Sequence, residues 1–156
     1  MTEQTQTLDV PVAATSGSGA LLLYDADCGF CRACVGMVLA WDRARCLRTA
    51  PIQSVEGERA LAGLPPTDRL VSWHLADCSG TVHSGGTVFA PLFRLLPFGR
   101  FFATVSAVSP GTTEKLYRVG ADRRSTLSLL VPATVKQWGD EQIERRRAAL
   151  ATGEGV

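Results

Sequence analysis

An unbroken apolar run, Leu21 to Tyr24, ends at Asp25, and after Asp27 apolar side chains return at helical spacing. Cys31, Cys34, Val35, Val38, Leu39 and Trp41 fall on one face, so the pattern predicts a buried strand over 20–25 and an amphipathic helix over 28–41. Cys46 to Pro51 alternates behind a polar turn and predicts a second strand, parallel to the first because a helix intervenes. Ser54 is placed to cap a short helix through Leu61, with Gly63 as its stop, and Pro65-Pro66-Thr67-Asp68 reads as a loop. From Leu70, Val71, Trp73 and Leu75 alternate with Ser72, His74 and Ala76; a turn at 77–80 and a return strand at 81–83 complete a hairpin. Ser84-Gly85-Gly86 then leads into a helix reaching Leu96, where Pro91 fits only in the first turn. Two further helical pieces, 101–108 and 113–122, are separated by a break at Pro110-Gly111 and should lie against the sheet. A charged helical run, Glu141 to Leu150, follows Pro132.

This order, βαβαββα, is that of a thioredoxin-like α/β core: a mixed central sheet with helices on both faces, here with additional C-terminal helices. Three regions are expected, a disordered leader over 1–19, the thioredoxin-like domain over 20–130 and a helical tail over 131–156. A chain of 156 residues with 46% hydrophobic and 20% charged content suffices for one full core. A net charge of +1 supplies no field to recruit nucleic acid or an acidic membrane surface. The N-terminus has neither the basic nor the apolar region of a secretory signal, and the most apolar window, Val88 to Val108, is interrupted by Pro91, Arg94 and Pro97. No membrane partner and a cytoplasmic location are therefore expected.

Candidate chemistry concentrates at Cys28-Gly29-Phe30-Cys31, a CxxC pair between strand and helix. At a helix N-terminus, orphan N–H groups and the macrodipole favour a thiolate, and a second thiol one turn on can form a disulfide with it. Cys28 is the expected nucleophile and the more exposed of the two; Cys31, on the apolar stripe, is the expected resolving thiol. Asp25, at the strand end, is the candidate acceptor of the resolving thiol's proton, and Asp27 the candidate N-cap. Cys34 extends the run to CxxCxxC, so Cys28, Cys31 and Cys34 could instead hold zinc or an iron–sulfur cluster, although core filling suits Cys34 better. Cys46 and Cys78 read as plain thiols, His74 and His83 as exposed strand residues, and Arg145 to Arg147 as a solvated helix face.

Tyr24-Asp25-Ala26-Asp27-Cys28-Gly29-Phe30-Cys31, Trp41-Asp42-Arg43, Ala50-Pro51-Ile52-Gln53-Ser54, Leu95-Leu96-Pro97 and Leu116-Tyr117-Arg118 with Arg123-Arg124 together resemble the DCC family of thiol–disulfide oxidoreductases. The resemblance spans roughly residues 20 to 126. It implies a thioredoxin-like enzyme that exchanges disulfides through Cys28 and Cys31 without a cofactor, acting on a thiol or disulfide protein or a small thiol. Tyr117 and Arg118 match the family's pattern, and packing plus a surface ion pair is their expected role. The chain departs from the family at Ala26, where glycine is usual, and no proline directly precedes the Leu70 strand, where thioredoxin places a cis-proline facing its active site. A non-catalytic interaction domain, with its partner surface on Phe98 to Tyr117, is the remaining alternative.

Overall fold

Ala20–Tyr24 forms strand β1 with all five side chains buried, and its two-residue period divides them between two cores. Ala20, Leu22 and Tyr24 join one cluster with Val35, Leu39, Leu75, Leu92 and Ile143; Leu21 and Leu23 join another with Ala50, Ile52, Ala60 and Leu61. A strand covered on both faces has no polar side, which is why this one reads as a continuous apolar run. The computed structural model describes residues 19–108 and 110–153, so the expected leader lies outside them apart from Gly19.

Helix α1 (Gly29–Trp41) carries the chain from β1 to β2 (Leu47–Pro51), which pairs parallel to it with Ala20 opposite Leu47 and Tyr24 opposite Pro51. On the other side β1 pairs antiparallel with β3 (His74–Ala76), and β3 with β4 (Val82–Ser84), giving the order β2-β1-β3-β4. Between β2 and β3 lie α2 (Val55–Ala60) and α3 (Pro66–Arg69); Ser54 caps α2 by accepting the Gly57 N–H at 3.1 Å. A 3-10 turn, Gly85–Val88, leads from β4 into α4 (Phe89–Leu95), with Pro91 in its first turn. This mixed four-stranded sheet with its helices is an α/β, thioredoxin-like fold.

Several elements differ from the sequence expectation. Residues 66–69 form a helical turn rather than a loop, because Pro66 fits the first turn of a helix. Strand β3 starts at His74 instead of Leu70, since Leu70 and Val71 are exposed and contribute nothing to either core. Pro110 opens α6 (Pro110–Asp122) instead of breaking the chain before Thr113, and α7 (Arg124–Leu130) was not anticipated. Helix α5 (Arg100–Val108) packs on α4, and α6 packs on the 3-10 turn, rather than on the sheet.

The largest departure is α8 (Ala133–Ala151), which begins well before Glu141 and packs along α1. Gly139, Ile143 and Arg146 recur at helical spacing on the face toward α1. The helices cross where two glycines meet: a Cβ on Gly36 would come 2.5 Å from the Gly139 Cα. Arg146, expected on a solvated face, is only 8% exposed. Its guanidinium donates to Asp42 Oδ2 at 2.6 Å and to the carbonyls of Leu47 (3.0 Å), Leu39 (3.2 Å) and Asp42 (2.9 Å). Asp42 Oδ1 and Oδ2 in turn accept the Cys46 and Leu47 N–H groups at 3.1 and 2.9 Å, so one ion pair ties α8, the end of α1 and the start of β2 together.

Candidate functional site

Strand β1 delivers the chain to Asp25 at the edge of the sheet, and Asp25 to Asp27 turn it into α1. The Cys28 N–H meets the Asp25 carbonyl at 3.4 Å, and Cys28 is the N-cap, with extended backbone (φ −91°, ψ 104°). Its Sγ accepts the Cys31 N–H at 3.3 Å, the position in which a capping oxygen would sit. Asp27, expected to be the cap, is one residue too early. Its carboxylate lies 3.4 Å from Gln53 Nε2 instead.

Both thiols are nearly buried, Cys28 at 9% and Cys31 at 7% exposure, so Cys28 is the more open by a narrow margin. Burial, above all, pushes the Cys31 thiol well above its usual range. The hydrogen bond and charge of Cys28 act in the same direction, as does the charge of Asp25, while the Trp73 side-chain hydrogen bond opposes them. Cys34, half-buried one turn further along α1, is pushed up to about 11 by burial and then by the charge of Cys28.

Asp25 is held by the neighbouring strand. Ile52 donates its N–H to the Tyr24 carbonyl at 2.9 Å, and the next residue, Gln53, donates from Nε2 to Asp25 Oδ1 at 2.7 Å. Gln53 Oε1 accepts the Ala26 N–H at 3.3 Å, and Asp25 Oδ1 also accepts the Asp27 N–H at 3.0 Å. Gln53 thus fixes both the carboxylate and the loop. The sequence signal for Gln53 is its place just past a parallel strand, where open α/β sheets assemble sites. Arg32 adds a further tie, donating to the Ala26 carbonyl at 3.1 Å and pairing with Asp140 of α8 at 3.0 Å.

Trp73, read from the sequence only as a strand residue, directly precedes β3 and reaches Cys31 with its side chain. No cis peptide bond occurs among the described residues, and the residue directly before β3 is this tryptophan, not a proline. The Trp73 N–H donates to the Tyr117 hydroxyl at 2.8 Å. Tyr117 therefore does more than pack: from α6 it fixes the segment that touches the cysteine pair. Arg118 makes the expected surface ion pair, with Glu114 at 2.9 Å.

Cys31 and Cys34 open onto a cavity of about 760 Å³ between α1, the segment before β3, and helices α4 to α6, with Asp25 at its edge. The alternative ligand set Cys28, Cys31 and Cys34 does not assemble: among the described residues no three His, Cys, Asp or Glu side chains are grouped to hold a metal ion. The thiol of Cys28 lies over the helix N-terminus, whereas Cys31 and Cys34 line the cavity on successive turns.

The remaining candidates lie elsewhere. His74 is buried instead of exposed; its Nε2 donates to the Arg69 carbonyl at 2.8 Å, so Nδ1 accepts from the Ser84 hydroxyl at 2.7 Å. Burial lowers its pKa, against the raising effect of that carbonyl. His83 is half-buried and pairs with Asp77 at 3.1 Å. Cys46 is half-buried and Cys78 exposed, and all five cysteines are free thiols. No helix among the described residues is long and apolar enough to cross a membrane.

Comparison with known proteins agrees with this geometry. A family model described as DCC1-like thiol-disulfide oxidoreductase matches residues 22–130, which include the CxxC pair, Gln53, Trp73 and Tyr117 and exclude α8. No curated protein and no solved structure matches the chain. The match spans well over half of the sequence, and the chain belongs to the DCC1-like thiol-disulfide oxidoreductase family.

Proposed function

We propose that the protein exchanges disulfides through Cys28 and Cys31, with Cys28 as nucleophile, Cys31 as resolving thiol and Asp25 as proton acceptor. The observation that supports this reading is the pairing at the start of α1: Cys28 Sγ takes the Cys31 N–H at the positive end of a helix, while burial pushes the adjacent Cys31 thiol up. The Cys28 thiolate attacks a substrate disulfide R–S–S–R′, forming Cys28–S–S–R and releasing R′–S⁻, which takes a proton from water. Cys31 then gives its proton to Asp25 and attacks the Cys28 sulfur. The Cys28–Cys31 disulfide forms and R–S⁻ leaves. The substrate gains two electrons and the pair loses two; the reverse sequence oxidises a dithiol.

The two cysteines divide the labour by environment. A thiol pushed up by burial resists attack from outside and becomes reactive when a mixed disulfide and a base are adjacent. Cys28→Ser should abolish exchange, whereas Cys31→Ser should accumulate a mixed disulfide on Cys28, read by mass spectrometry under non-reducing conditions. Full activity in both variants would overturn the proposal. Asp25→Asn should slow release of the mixed disulfide more than its formation, because it removes the base only from the second step.

A further inference from the structure

The cavity beside Cys31 is larger than the exchange of two sulfurs requires. Its volume of about 760 Å³ lies within the range that encloses a small organic molecule. Asp25 is its only charged lining side chain among the described residues, and aromatic rings dominate the wall: Phe30, Trp41, Phe89, Phe93 and Tyr117 surround the space into which Cys31 and Cys34 open. The apolar character extends to the mouth. Met37, Val71 and Leu116 line the cavity and are 52%, 61% and 74% exposed, apolar side chains in water at the rim of a concavity.

We infer that this cavity holds the organic portion of an uncharged, apolar, low-molecular-weight disulfide, so that the protein's exchange chemistry serves such compounds. The inference rests on the thiol–disulfide reading above and names the class of substrate for it. A charged disulfide such as a glutathione-type peptide would bring carboxylates and an ammonium group against a mainly apolar wall whose polar groups, apart from Asp25, are neutral, and much of the desolvation penalty would go unreturned. An apolar compound is instead desolvated favourably over the aromatic wall. Cys31 ties occupancy to reaction, because it lines the cavity and its N–H meets Cys28 Sγ at 3.3 Å, so an R group of Cys28–S–S–R that lies in the cavity lies beside the resolving thiol. Resolution then breaks the Cys28–S–R bond, forms the Cys28–Cys31 bond and releases R–S⁻ into the cavity. The cavity is lined by helices, by the segment before β3 and by Asp25, with no strand residue, so it suits a compact molecule better than an extended chain that pairs along strand edges.

Gly120 provides the test. It lines the cavity from α6, on the same face as Thr113 and Tyr117, and a Cβ added there meets nothing within 4 Å. Gly120→Phe has room at its Cβ, extends a ring from the cavity lining and raises helix propensity. In the full chain, the uncharged fluorophore phenyl-naphthylamine should bind with energy transfer from Trp41 and Trp73, and Gly120→Phe should weaken that binding by about tenfold or more. Oxidation of the Cys28–Cys31 dithiol, read by alkylation and mass spectrometry, should slow about tenfold in Gly120→Phe with dithiodipyridine, which is aromatic and uncharged, and stay within about twofold of wild type with the small polar hydroxyethyl disulfide. Leu116→Glu, at an exposed rim position, should shift the same ratio in the same direction. Absence of fluorophore binding, or a Gly120→Phe variant that keeps both binding and rate, overturns the cavity assignment while leaving exchange intact. A preference for an extended apolar peptide disulfide over dithiodipyridine that Gly120→Phe does not alter overturns it as well. Failure of both small disulfides to oxidise the pair in the wild type removes the exchange reading itself.

Discussion

Truncation of Arg146 to alanine separates a buried anchor from a surface charge. The guanidinium makes four hydrogen bonds, of 2.6 to 3.2 Å, to Asp42 and to three carbonyls at the end of α1 and the start of β2. Arg146→Ala removes all of them and leaves the Asp42 carboxylate, 1% exposed, with only the Cys46 and Leu47 N–H groups as partners. Breaking a buried pair from one side costs about 3–5 kcal/mol, and the unpaired carbonyls place this site toward the upper half of that range. The neighbours serve as internal controls. Arg145 pairs with Glu141 at 3.3 Å and Arg147 with Glu144 at 2.8 Å on the exposed side of α8, where each alanine substitution should cost about 0.5 kcal/mol or less. Urea unfolding followed by the fluorescence of Trp41, next to Asp42, reads all three variants, with an unchanged m-value showing that compactness is preserved. Replacing both partners, Asp42→Asn with Arg146→Met, should recover a large part of the loss, because no uncompensated charge remains buried. A cost below about 1 kcal/mol for Arg146→Ala, or equal costs for all three arginines, would refute the argument that α8 is anchored through this pair.

Tyr117→Phe strips the Trp73 N–H of its acceptor and should cost about 1 kcal/mol in urea unfolding; it should also lengthen the lifetime of the Cys31-resolved mixed disulfide, since Trp73 reaches Cys31. His74 is buried with its pKa lowered from 6.5, so the unfolded chain binds a proton that the fold refuses. Stability from this group is therefore complete above pH 6.5 and is lost as pH falls below it, and His74→Gln should flatten that part of a stability–pH curve. Cys34 runs the other way: with its pKa raised from 9.0 to about 11, the folded chain holds the proton longer, so stability falls as pH rises from 9.0 toward about 11. Cys34→Val should remove that decline, and alkylation of Cys34 in the native protein should accelerate only as pH approaches about 11.

The elements around the cysteine pair were legible because each is specified locally. Five consecutive buried residues followed by a helical stripe define β1 and α1 without reference to the rest of the chain, and Ser54 and Pro91 carry their own positional meaning. Where the reading failed, the deciding contact was distant. Arg146 looks like any arginine in a charged run, and only the arrival of Asp42 from 104 positions away gives its guanidinium a buried partner. His74 sits in a three-residue strand whose alternation says nothing about Ser84 or the Arg69 carbonyl closing over its ring. Aspartate is a usual capping residue and sulfur is not a usual capping atom, so sequence favours Asp27, yet the extended backbone of Cys28 puts its Sγ where the Cys31 N–H needs an acceptor. In the candidate site, the cysteines could be read from spacing, whereas Gln53 and Trp73 acquire roles only once the sheet order sets β2 and β3 on either side of β1.

That sheet order also explains how a helix far along the chain comes to bear on the pair. Gly85 has a left-handed backbone (φ +62°), and a Cβ on Gly86 would lie 2.7 Å from the Glu114 Cα, so α6 approaches the turn after β4 more closely than any other residue pair would permit. Glu114 Oε2 then accepts the Gly86 N–H at 2.7 Å, while three residues on, the Tyr117 hydroxyl accepts the Trp73 N–H. Two acceptors on one face of α6 thus grip the chain just before β3 and just after β4. Since β3 lies against β1, and β1 leads through Asp25 to Asp27 into Cys28, α6, the tryptophan beside Cys31 and the helix that presents the thiols are linked by one run of hydrogen bonds, two of them accepted by α6 side chains and the rest between strands. Gly85, Gly86 and Tyr117, which carry no redox chemistry, thus hold the α6 wall of the cavity against the segment that reaches Cys31.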